Sequence, residues 1–161
     1  MDFRSVPGSE WDVIQSVDGY AKKIRQRATL LLEALAGQYS NSAPEENHGV
    51  KFSVTGEKDV VGLIESDLGD GRFTFTFGFS EKILLGKLQV ERRNVGRSDC
   101  VEWEPVWCVS VPIQGEIFVG VAPRRFVIPA ANSVHNDRRA SAIYEFGQII
   151  LYSLVSGPLV E

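Results

Sequence analysis

A chain of 161 residues with a net charge of -4, 43% hydrophobic and 24% charged, has the balance of a globular domain large enough to bury a core without staples. That charge gives no overall pull toward nucleic acid or an anionic membrane. Its two cysteines, Cys100 and Cys108, are too few for a disulfide framework or a four-ligand structural zinc site, and no run of about 20 apolar residues is present to cross a bilayer.

Read in chain order, residues 1–161 form one domain with three parts. Ser9 and Asp12 resemble a capping pair. Behind them Ile14, Val17, Ala21, Ile24, Ala28, Leu31 and Leu35 recur at alternating steps of three and four. This spacing predicts a long helix over about 9–39 with one face turned to a partner surface. Asp18 and Gly19 fall opposite that face and mark the place where the helix would break if it broke at all. The second half carries extra apolar residues, Leu30, Leu32 and Ala34, and is expected to be the buried half. Unbroken, such a helix is about 45 Å long, against about 40 Å for a domain of this size. Part of its first half is therefore expected to overhang or to meet a partner.

A polar loop over 40–49 precedes a change of period from about 3.6 to two. Val50, Phe52 and Val54 alternate with polar residues as a first strand, and Val60 to Leu68 reads as a second. Gly69-Asp70-Gly71 supplies turn chemistry. The clearest strand comes next, with Phe73, Phe75, Phe77 and Phe79 on one face and Arg72, Thr74 and Thr76 on the other. Ile83 to Arg93, Val106 to Ile113, Glu116 to Ala122 and Arg124 to Ile128 complete a meander over about 50–128. Asn94 to Cys100 reads as a polar loop. Asn136 or Asp137 caps a second helix over about 137–156, through Ile143, Phe146, Ile150 and Leu154, stopped by Gly157-Pro158. The order helix, strands, helix predicts an α+β fold, with a largely antiparallel sheet of about 5–7 strands and both helices on one face.

Chemistry is sparse. His48 and His135 are the only imidazoles, and His135 heads the run His135-Asn136-Asp137-Arg138-Arg139, which suits an anion or an oriented base. Glu102, Glu104 and Glu116 are the carboxylates that a hairpin could gather. Asp99 and Glu102 beside Cys100 work against a nucleophilic thiol, and Cys108 between Trp107 and Val109 reads as a small buried hydrophobe. There is no phosphate loop, nucleophile elbow or zinc-helix motif, and we expect neither cofactor nor metal.

The leading expectation is therefore a non-enzymatic adaptor-type module that binds a protein partner or itself, including as a homodimer. The narrow part of the helix stripe, Val17, Ala21 and Ile24, is its first candidate surface. The arginine pairs Arg92-Arg93 and Arg124-Arg125, with His135 and Arg138, are the second. A small-ligand or enzymatic pocket between the Phe73–Phe79 strand and the helices is the alternative. Nucleic-acid binding through the arginines comes third, because adjacent strand residues point to opposite faces. With no apolar leader at the start of the chain, the expected compartment is the cytoplasm.

Overall fold

A computed structural model describes residues 8–40, 46–96, 99–120, 126–130 and 136–157. Helix α1 spans Gly8–Ser40 and helix α2 spans Asn136–Ser156. Between them lie β1 (Lys51–Val54), β2 (Val60–Glu65), β3 (Gly71–Ser80), β4 (Ile83–Val95), β5 (Val101–Val111), β6 (Ile117–Val119) and β7 (Phe126–Ile128). The strands form one seven-stranded sheet in sequence order, each antiparallel to the next. The protein is thus an α+β fold in which the predicted helices begin and end within one residue of their expected limits. α1 is continuous through Asp18 and Gly19.

Both helices lie on the face that carries the first phenylalanines. Gly86 of β4 faces α1, and a β-carbon there would come 2.6 Å from Ile24 Cγ2 and 2.8 Å from Phe75 Cε2. Ile24, Leu31 and Leu35 have no exposed surface, and Phe73 and Phe75 are buried beneath the helix. From the other helix Phe146, Ile150 and Leu154 enter the same core. Leu154 reaches the space above Gly71, two residues before Phe73 on the same strand face.

Two departures from the sequence reading fall on the β4–β5 pair. β4 runs on to Val95, two residues into the expected loop, and β5 begins at Val101, five residues before the expected Val106. A bulge between Val90 and Glu91 shifts the β4–β5 register. It inverts the alternation of residues 101–105 relative to residues 106–111. Pro105 is tolerated there because β6 pairs only with Val109 and Ser110, leaving that stretch of β5 at an edge. Glu104 consequently turns to the helix-bearing face. It accepts from Arg92 Nε at 2.5 Å and from Asn94 Nδ2 at 2.8 Å. α2 has no basic residue in its last turn, and Arg92 supplies the cation instead, its guanidinium lying against Gly157. Gly157 closes the helix at φ 80°, a backbone conformation glycine adopts without penalty.

The helices meet through Tyr39. Its ring stacks on Tyr144 with centroids 5.4 Å apart and meets Phe52 edge-on at 5.1 Å. Its hydroxyl donates to the Tyr144 carbonyl at 2.7 Å and accepts from Gln148 Nε2 at 3.1 Å. Burial pushes the hydroxyl up to about 12, against the Gln148 hydrogen bond, with a smaller upward push from Tyr144. Gly147 of α2 lies flat against this ring, leaving no room for a β-carbon.

Gly147→Ala should destabilise by about 1–3 kcal/mol through overpacking, outweighing the gain of about 1 kcal/mol in helix propensity; chemical denaturation reads the sign. The raised Tyr39 value means the folded state holds its proton more tightly. That contribution is whole below pH 10 and fades as the pH rises toward 12. In Tyr39→Phe this alkaline part of the stability curve should flatten. At neutral pH the variant should lose about 1 kcal/mol with its hydrogen bonds.

Candidate functional site

The row of four phenylalanines divides. Phe73 and Phe75 are core, whereas Phe77 is 39% and Phe79 68% exposed. The register explains the division. β2 pairs with β3 only as far as Val60 opposite Thr74, and β5 leaves β4 at Gly86 opposite Val111. Beyond those points β3 and β4 continue as a two-stranded arm to Ser80 opposite Ile83. Among the described residues, α1 passes over its helix-side face.

A groove of about 590 Å³ lies between this arm and α1. Val17, Tyr20 and Lys23 form its helix wall, Phe79, Lys82 and Ile83 the arm wall, and Ile24 and Leu84 the floor. Ile113 and Gln114 close the far side. They are held there by Arg27 of α1, whose two terminal nitrogens donate to the carbonyls of Pro112 and Gly115. Tyr20 at 48% and Ile83 at 58% are open to solvent. On the opposite flank of the arm Arg25 lies over the Phe75 ring at 4.5 Å and Phe77 at 5.6 Å, while donating to the Lys58 carbonyl at 2.9 Å.

The tip of the arm is strained. Two residues, Glu81 and Lys82, connect the strands with φ values of 50° and 67°. A two-residue connection with both φ positive is the hairpin turn usually built from Asn-Gly. Each ordinary side chain held in that region costs roughly 1–2 kcal/mol. Strain of this kind collects at sites where geometry serves something other than stability. Here it fixes Lys82 on the rim of the groove.

The sequence-derived residues disperse. Val17 stands in the groove wall, Ala21 is half-buried beside it, and Ile24 is core and groove floor together. Arg92 and Arg93 point to opposite faces, Arg92 to Glu104 and Arg93 to Asp70 at 3.6 Å. Arg72 pairs with Glu91 and stacks on Trp103 at 4.3 Å. Arg138 is exposed in the first turn of α2, and Arg124, Arg125 and His135 lie outside the described residues. His48 is exposed in the turn before β1. Arg92, and then Asn94, hold the Glu104 carboxyl below its usual range. Cys100 is exposed, while burial pushes the Cys108 thiol up despite Lys87 nearby. Among the described residues no group of three or more His, Cys, Asp or Glu could hold a metal ion, and no helix is long and apolar enough to cross a membrane.

Sequence reasoning misses Tyr20, Phe79, Lys82 and Ile83 as a surface. Tyr20 lies off the apolar stripe, and Ile83 reads as the ordinary start of a strand. One signal is available for Phe79. A ten-residue strand beside a six-residue neighbour leaves its far end without cover on that side. No protein-family model, curated protein or solved structure matches the chain.

Replacing Glu81-Lys82 by Asn-Gly should raise stability by about 1–2 kcal/mol through relief of the left-handed conformations. The check is a shift in urea midpoint at unchanged slope.

Proposed function

We propose that the chain is a non-enzymatic protein-interaction module whose contact surface is the groove between α1 and the β3–β4 arm. One observation carries this reading: four large apolar side chains, Val17, Tyr20, Phe79 and Ile83, line the groove and remain exposed. Scattered apolar residues on a surface are ordinary, but a contiguous aromatic and aliphatic patch rimmed by charge is characteristic of binding sites. Burying each such side chain is worth about 1.5–3 kcal/mol. A partner that covers three of them therefore has the means to offset the cost of association.

Charge selects the partner. The groove is lined by Lys23 and Lys82, and no carboxylate lines it among the described residues. In a chain of net charge -4, this is a local reversal of sign. A segment with apolar anchors flanked by Asp or Glu is complementary both to the floor and to the rim. Lysine stems also extend the apolar wall beneath their ammonium groups.

An amphipathic peptide with Leu and Phe anchors and Glu flanks should bind more tightly than the same peptide with Lys flanks, the difference shrinking as salt is added. Ile83→Asp should weaken binding of the acidic peptide by about tenfold or more without lowering the melting temperature. Leu30→Asp, on an exposed part of α1 away from the groove, should leave it unchanged. Equal affinity for both peptides would defeat the proposed selectivity. Thermal-shift screening with small apolar compounds is the control for a ligand pocket.

A further inference from the structure

The arm has a second open surface, made of backbone. Ser80 and Ile83 close its two-residue turn, so Ser80, Gly78 and Thr76 direct their N–H and C=O groups toward β4. Phe75, Phe77 and Phe79 direct theirs the other way, toward the β2 side. Phe75 shows this directly, its N–H donating to the Asp59 carbonyl at 2.9 Å. The β1–β2 hairpin turns back there, with Thr55 N–H on the Val61 carbonyl. Beyond it, Phe77 and Phe79 have no backbone partner on that side among the described residues. The result is a ledge over 76–80, about 17 Å long, with outward donors and acceptors at Phe77 and Phe79 and no charged side chain.

We propose that this ledge pairs with the same ledge of a second copy, antiparallel, across a two-fold axis through Gly78. The sequence Thr76-Phe77-Gly78-Phe79-Ser80 reads nearly the same in both directions about that glycine, which is what a two-fold contact requires of a strand. Phe77 then lies opposite the partner's Phe79, and Phe79 opposite the partner's Phe77. Both pairs exchange both backbone bonds, and their rings meet on the helix-bearing face. The lengths agree: each ledge ends where the other copy's strand turns at Glu81. That turn, which carries both Glu81 and Lys82, arrives beside Lys58 and Arg25, the groups that flank Phe75. A five-residue pairing buries less than the roughly 1,200 Å² of a standard interface, which makes the dimer weak and concentration-dependent. The backbone edge that pairs lies on the β2 side of the arm, away from Lys82 and Ile83, and Phe79 is shared between this contact and the groove wall.

Sedimentation across a concentration series should show wild type moving from one chain mass toward two. Phe79→Pro removes one outward N–H while leaving the bonds to β4 intact. It should keep the wild-type circular dichroism and stay at one chain mass. If that variant does not fold, Phe77→Lys places a charge on the ledge and should weaken association about tenfold. Register is read by cross-linking in a Cys100→Ser background. Gly78→Cys should form a disulfide between copies, since residues facing each other at a non-hydrogen-bonded pair stand about 4.5 Å apart at Cα, and Ser80→Cys should not. Wild type that remains monomeric throughout, a folded Phe79→Pro that associates normally, equal cross-linking at 78 and 80, or loss of the dimer in the groove variant Ile83→Asp would each overturn the proposal.

Discussion

Ile24 occupies the volume above Gly86 that a β-carbon would otherwise fill, with its Cγ2 2.6 Å from that point. A helix comes this close to a sheet only over a residue without a side chain. Once Ile24 is seated, the helical repeat assigns positions to its neighbours. Arg25 falls over Phe75 and Phe77. Arg27 reaches the β5–β6 turn. One and two turns earlier, Tyr20 and Val17 come to stand over the arm. The groove wall, its far side and the cation over the aromatic row all descend from that one packing contact.

The two ends of the helix-bearing face are treated oppositely. At one end α2 fills the space, Leu154 seals Gly71, and Arg92 joins Glu104 to the C-terminus of the helix. Phe146, Ile150 and Leu154 are buried there, and Glu104 is held by Arg92 and Asn94. At the other end aromatic surface is left in water and two residues are held in a turn that suits glycine and asparagine. Local choices that lower stability without local return mark the places where a sequence answers to something besides folding.

Much of the fold is legible in the sequence because apolar residues follow period 3.6 in the helices and period two in the strands. The limits of both helices, the aromatic strand and the shared face come directly from that pattern. The bulge at Val90 is not legible, since the inverted alternation of Glu102 and Glu104 resembles loop composition until the register across β4 is known. The division of the phenylalanine row is hidden for a related reason. Alternation assigns a side chain to a face and says nothing about how far the neighbouring strand extends. Tyr20 and Ile83 are beyond reach because each becomes part of a surface only when α1 crosses the arm. The dispersal of Arg92 and Arg93 to opposite faces, by contrast, comes from strand geometry alone.

Because every strand bonds to its neighbours in sequence, the sheet can assemble progressively as the chain leaves the ribosome, hairpin after hairpin. α1 is different, for its stripe is made first and its seat on β4 much later. At about 5–20 residues per second, Ile24, Leu31 and Leu35 spend several seconds without the surface that covers them. Over that interval the nascent helix presents a hydrophobic face before the strands that cover it have been made.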